Sequence, residues 1–182
     1  MVNQSITFKY ILAVMMAVIV TWLLHEFAHW LVSELLGYES IMRINSVSRM
    51  EGQDPIGIHD MYIAAAGPLV TIIQAFIVYY ILRANNWNKY LYPLLFIPFY
   101  MRLMAGFMNF IKHNDEGRIS TFFELGTFTI PILVIALLFL LVYGVSKKYK
   151  LHWKFQLATT IFVMISSSIL ILADQFYGIR II

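Results

Sequence analysis

Five apolar runs dominate the chain, separated by short polar stretches. They are Phe8 to Leu36, Met61 to Leu82, Tyr90 to Ile111, Phe128 to Val145 and Phe155 to Ala173. About 20 residues of helix cross a bilayer core, so the pattern predicts an all-α fold, a polytopic transmembrane bundle of about five helices. Gly37 is a natural stop for the first helix. Gly37 to Asp60 is the one sizeable polar stretch. Within it Ile41, Met42, Ile44 and Val47 alternate loosely with Arg43, Asn45, Ser46 and Ser48, the pattern of a short β-hairpin between helices 1 and 2, with Glu51-Gly52-Gln53-Asp54-Pro55 as its turn. An irregular loop lying on the headgroups accounts for the same residues equally well. Ala64-Ala65-Ala66-Gly67-Pro68 opens the second run with small residues that let another backbone come close. Pro68 is expected to break or bend that helix unless it lies in the first turn.

Composition agrees with the pattern. Of 182 residues, 60% are hydrophobic and 13% charged, against about 45–50% and about 25% in soluble domains. The chain is therefore read as one integral membrane domain, residues 1–182, with the lipid bilayer as its solvent and the plasma membrane as the expected location. Met1 to Thr7 lack the basic start and cleavage site of a signal peptide, so the first helix is read as retained. The net charge of +3 is scattered and does not point to nucleic acid. With no cysteine, the strong metal ligands are limited to His, Asp and Glu.

The chemistry concentrates in His25-Glu26-Phe27-Ala28-His29, an H-E-x-x-H group inside the first apolar run. On a helix His25 and His29 lie one turn apart on one face and can share a metal ion. Glu26 beside them is placed as general base for water activated by that metal. Five residues with three fixed positions recur by chance. Two histidines and a glutamate in lipid, however, are costly and rarely kept without a task. The group lies roughly 15–18 Å from the helix end, at membrane depth.

A catalytic zinc usually takes three protein ligands and leaves one position open. If helices 1, 2 and 3 alternate in direction, the end of helix 1, the start of helix 2 and the end of helix 3 meet on one side of the bilayer. Asp115 and Glu116 are the leading carboxylates there, with His113 and the pair His59-Asp60 as further candidates. His152 falls on the opposite side. Without the H-E-x-x-H group, Asn114-Asp115-Glu116 would read as a solvated helix end. Arg102 either snorkels or pairs with a carboxylate inside the bundle.

The membrane-embedded H-E-x-x-H, the Gly67-Pro68 entry to the next helix and the later Asp115-Glu116-Gly117-Arg118 together resemble the site-2 protease family of intramembrane zinc metalloproteases. The resemblance covers roughly Thr21 to Ser120. It implies a catalytic three-helix core over about residues 8–120 with accessory helices over about 121–182. It also implies zinc on His25, His29 and Asp115, Glu26 as general base, and Asn109 in contact with the substrate or the oxyanion. Family members typically have Asn-x-x-Pro and then Leu-Asp-Gly. Here the Pro is missing, the spacing from Asn109 to Asp115 is shorter, and Glu116 stands in the place of Gly, which leaves Glu116 as an alternate ligand. An inserted PDZ domain, present in many members, has no room.

The expected function is hydrolysis of peptide bonds in or near transmembrane segments of other proteins, with Zn2+ as cofactor. The alternative is a non-enzymatic membrane protein, either a metal carrier or an inactive relative that binds helices. Glu26 separates the two, because a carrier needs ligands but no base beside them. Five histidines are too few for a di-iron membrane oxidase. Seven basic residues on the N-terminal side against five on the other favour a cytoplasmic N-terminus, whereas the resemblance implies the reverse.

Overall fold

A computed structural model describes residues 2–182 as an all-α bundle with one β-hairpin. Its elements are α1 (Phe8–Leu35), β1 (Ser40–Met42), β2 (Val47–Arg49), α2 (Gly57–Ala84), α3 (Tyr92–Met108), α4 (Asp115–Phe122), α5 (Thr129–Tyr149) and α6 (Trp153–Tyr177). Four of the helices, α1, α2, α5 and α6, are long and apolar enough to cross a membrane. The third run, expected from Tyr90 to Ile111, yields only the 17 residues of α3, about 26 Å of helix. Beyond Met108 the chain turns and starts α4, which the apolar pattern did not foresee because that helix is short and polar.

α1 shows how the pattern becomes packing. Tyr10, Val14, Ala17, Val18, Thr21, His25, Ala28 and His29 are all buried, and their spacing of three and four places them on one face. The opposite face carries exposed Leu12, Met16, Ile19 and Phe27. Outward apolar faces recur on α5 (Leu133, Leu140) and α6 (Ile169, Leu172). In lipid this exposure carries no hydrophobic penalty. The core far from the metal side chains is built from Tyr10, Val14, Tyr92, Leu95, Leu138 and Val163. There the Tyr10 hydroxyl lies 2.6 Å from Thr159 Oγ1 and ties α1 to α6.

Prolines inside helices are accommodated rather than disruptive. Pro68 lies well inside α2, and of the expected break or bend there is no break, since the helix continues through it. Membrane helices tolerate such residues when neighbouring groups satisfy the freed backbone. α3 shows this directly at Pro98. Proline offers no amide to the Leu94 carbonyl four residues earlier, and Gln74 Nε2 of α2 donates to that carbonyl at 2.8 Å. The same nitrogen donates to Thr21 Oγ1 of α1 at 2.9 Å, so one side chain joins three helices.

The hairpin is present, but its turn is not the expected one. β1 and β2 pair antiparallel with Met42 opposite Val47, and the Arg43 amide donates to the Ser46 carbonyl at 2.8 Å. The turn is thus 43–46, built on Asn45 and Ser46, which favour turns through side-chain hydrogen bonding. Glu51 to Pro55 instead forms the loop into α2, where Gly52 takes a left-handed φ of 80°. The base of β1 is pinned to α1. Glu34 accepts from the Ser40 amide at 2.7 Å, Ser33 and Ser40 hydroxyls meet at 2.6 Å, and Trp30 donates to the Ser40 carbonyl at 3.2 Å. On its other side β1 pairs with the chain beyond α6. The Met42 amide donates to Ile182 O at 3.1 Å and the Ile181 amide to Met42 O at 2.9 Å. β2 has no second partner among the described residues.

If Gln74 holds α1, α2 and α3 together, Gln74→Leu should lower the unfolding free energy in mixed micelles by about 1–2 kcal/mol. An unchanged unfolding curve would remove Gln74 from this role.

Candidate metal centre

His25 and His29 reach the same point from successive turns of α1. Their rings stand edge to face, with centroids 4.6 Å apart, and their Nε2 atoms are 3.1 Å apart. Asp115, the first residue of α4, brings its Oδ2 to 3.3 Å from each Nε2. A tetrahedral ion held at about 2.0–2.1 Å has ligand atoms roughly 3.3–3.4 Å apart. Three donor atoms separated by 3.1–3.3 Å therefore fit the corners around one ion. The set of two imidazoles and a carboxylate suits zinc and similar divalent ions.

The surroundings orient these donors. His29 Nδ1 lies 2.6 Å from the Ile63 carbonyl of α2. Donation from Nδ1 to that carbonyl leaves Nε2 free to ligate. Gly67 is packed against both rings, so closely that an added Cβ would overlap His25 and His29. The small residues of α2 thus act directly on the metal side chains. Asp115 is placed by a chain of caps. Asn109 Oδ1 accepts from the Asn114 amide at 2.8 Å, and Asn114 Oδ1 accepts from the Gly117 amide at 2.8 Å, opening α4. Gly117 sits against the Asn109 side chain and has no room for a Cβ. Burial by itself raises the Asp115 carboxyl, but the two histidine rings beside its Oδ2 outweigh it and hold the group well below the usual carboxylate range. It is present as carboxylate, the form a metal requires.

Glu116 is turned away from the histidines. Its Oε1 accepts from Arg102 Nη1 at 2.7 Å in an ion pair with both side chains under 5% exposed. The Arg102 guanidinium also lies 3.8 Å from Asp115 Oδ2, and its Nη2 is 3.5 Å from His25 Nδ1, too far to fix that ring's tautomer. Glu26, Asp115 and Glu116 gather near one buried cation, Arg102, and a divalent ion would add positive charge among them.

The remaining sequence candidates lie elsewhere. His113 is exposed, with Nε2 3.4 Å from the Thr127 hydroxyl. His59 accepts or donates at 2.8 Å with the Tyr38 hydroxyl. Asp60 is engaged by Arg49 and Arg118. His152 is exposed beside the start of α6. Asn109 braces the loop that carries Asp115, and it is not among the residues lining the cavities beside the triad.

Two cavities flank the triad. One, of about 240 Å3, is lined by His25, Glu26, His29 and Asp115 together with Asn45 to Val47 and Arg49 of the hairpin, Ile63, Ala64 and Arg118. Glu26 thus shares a cavity with all three metal side chains. The other, of about 280 Å3, lies between α1, α3 and α6 and is mostly apolar, with Trp22, Tyr100, Met104 and Ile171 among its walls. Sequence reasoning overlooked Asp174, which is buried near the end of α6 and accepts from the Ser46 hydroxyl at 3.4 Å. Its place just past the last apolar run was the available signal. The start of α4 had one too, since Asn followed by Asp and Glu marks a helix N-terminus. Family models, curated proteins and solved structures give no match to this chain.

Two outcomes follow for zinc content after dialysis against a weak chelator. Asp115→Ala should lose the metal while Glu116→Gln, which retains a partner for Arg102, should keep it. Gly67→Ala should lose it as well, because the new methyl displaces both rings. Zinc retained by Asp115→Ala or by Gly67→Ala would refute this assignment of ligands.

Proposed function

We propose that this membrane protein is an intramembrane zinc metalloprotease, hydrolysing peptide bonds in or near the transmembrane segments of other proteins. The observation that carries the reading is the shared cavity: Glu26 opens onto the same space as His25 Nε2, His29 Nε2 and Asp115 Oδ2. A protein that only handled metal would need the three ligands and would gain nothing from a carboxylate beside them. The resemblance of this arrangement to the site-2 protease family supports the same conclusion by analogy.

His25, His29 and Asp115 would hold the ion. When bound, zinc supplies Lewis acidity, which polarises a carbonyl and acidifies water. Glu26 then does the proton work. It accepts a proton from water as the water oxygen adds to the peptide carbonyl carbon, and returns it to the amine nitrogen as the C–N bond breaks. His29 is held in its ligating orientation by Ile63 throughout. Burial of the group at membrane depth keeps bulk water from competing for Glu26.

A helical substrate hides its carbonyls in hydrogen bonds, so the segment must unwind before attack. The hairpin offers a place to hold it extended. With β1 already paired on both sides, the edge of β2 is the one left for strand addition. Val47 and Arg49 of that strand line the cavity, which brings the edge next to Glu26.

Glu26→Gln tests the mechanism. Zinc content should stay at the wild-type level, and cleavage of a susceptible membrane peptide should fall by about two to four orders of magnitude. Full activity in this variant would exclude Glu26 as the base and with it the mechanism.

A further inference from the structure

The rim of the metal cavity carries charge that neither metal binding nor the proposed proton transfers use. Arg49 on β2 and Arg118 on α4 both line the cavity. Both engage the same atom, Oδ1 of Asp60 in the first turn of α2: Arg49 Nη2 at 3.3 Å and Arg118 Nη2 in a close ion pair. Asp60 is the one carboxylate paired with either arginine among the described residues. The side chains of Arg49, Arg118 and Asp60 are 26%, 37% and 29% exposed, against 6% and 9% for His25 and His29. The trio is thus nearer to solvent than the two histidines, at an exposure like the 25% of Asp115.

Two guanidiniums on a single carboxylate oxygen leave one positive charge unbalanced. They also leave most of their donors unspent, since each guanidinium offers five N–H groups and gives one to Asp60. Planar forks of this kind match a carboxylate bidentately. Lysines would supply the charge without that geometry. A purely mechanical clamp between hairpin, α2 and α4 would account for the pairing with Asp60. It gives no reason for the surplus charge to face the space where a substrate must lie.

We propose that Arg49 and Arg118 form a carboxylate-recognition site at the cavity rim, which selects substrate segments bearing an Asp or Glu side chain close to the bond that is cut. The inference rests on the proteolytic reading and names the substrate class for that same site. Asp60 acts within it as an internal competitor, occupying both arginines until a substrate carboxylate displaces it or joins it. The site also sets register, because a side chain anchored at the rim fixes which peptide bond reaches Glu26.

The test uses full-length, zinc-loaded protein in lipid nanodiscs. The probes are apolar membrane peptides in which a single Asp, Asn or Lys is stepped through the central positions, and binding is measured in the Glu26→Gln background so that it does not depend on turnover. At one position or a narrow window, the Asp peptide should bind about tenfold more tightly than its Asn counterpart, and the Lys peptide more weakly than both. Arg49→Gln and Arg118→Gln should each shrink that Asp-over-Asn ratio, and the double variant should abolish it, with zinc content unchanged. Asp60→Asn, which removes the competitor, should raise the ratio above wild type. A mechanical clamp would give the opposite result, with Asp60→Asn weakening all peptides alike. Equal binding of Asp and Asn peptides at every position, or a ratio that survives in the double variant, overturns the proposal. Cleavage by the parent enzyme is scored separately. Cleavage without acidic preference defeats the recognition site alone, and acidic preference without cleavage of any peptide defeats the proteolytic reading alone.

Discussion

Ionisable side chains inside a lipid-spanning bundle are costly unless they partner one another, and His25, Glu26, His29, Arg102, Asp115 and Glu116 are gathered where α1, α3 and α4 meet. Arg102 neutralises Glu116, which leaves Glu26 and Asp115 facing the imidazoles. In a medium of low dielectric a carboxylate needs a partner, and a cation among these donor atoms would supply one. The three donor atoms leave a place for one, with edges of 3.1–3.3 Å. The rest of the bundle can be understood as what is needed to hold that arrangement. Gly67 lets α2 close on the two rings, the Ile63 carbonyl orients one of them, and the Asn109 and Asn114 caps aim Asp115 at both.

The triad lies between a polar cavity shared with the hairpin and an apolar one between α1, α3 and α6. Glu26 opens to the first, whose walls include Asn45, Ser46, Arg49 and Arg118. The Ser167 hydroxyl, buried near the second, has no hydrogen-bond partner among the described residues, a polar group in an apolar setting. The hairpin is fixed at both flanks, by α1 through Ser40 and by residues 181–182 at Met42. It therefore roofs the polar cavity as part of the scaffold.

Much of this was legible in the sequence because it depends on periodicity and spacing. Apolar runs of membrane length gave α1, α2, α5 and α6 to within a few residues, and the i, i+4 histidines put two donors on one face. What could not be read depends on contacts across the fold. Arg102 was a lone cation with two possible behaviours until α4 supplied Glu116. Arg118 stands two residues from Glu116 in sequence but pairs with Asp60, because side chains two positions apart on α4 point about 200° apart. Pro68 suggested a break or a bend, yet α2 continues through it. The hairpin turn was placed too late, since Gly52 and Pro55 are stronger turn residues by composition than Asn45 and Ser46. The pairing of residues 181–182 with β1 has no local signal, because backbone hydrogen bonds between distant segments leave no mark on either one.

The central claim is that His25, His29 and Asp115 hold one divalent ion, and X-ray absorption at the zinc edge on purified protein in nanodiscs tests it most directly. The account expects one zinc per chain, with two imidazole nitrogens and carboxylate oxygen at about 2.0–2.1 Å and the imidazole scattering halved in His25→Ala or His29→Ala. A protein that takes up no zinc from stoichiometric buffer, or whose zinc spectrum is unchanged by either substitution, would contradict it.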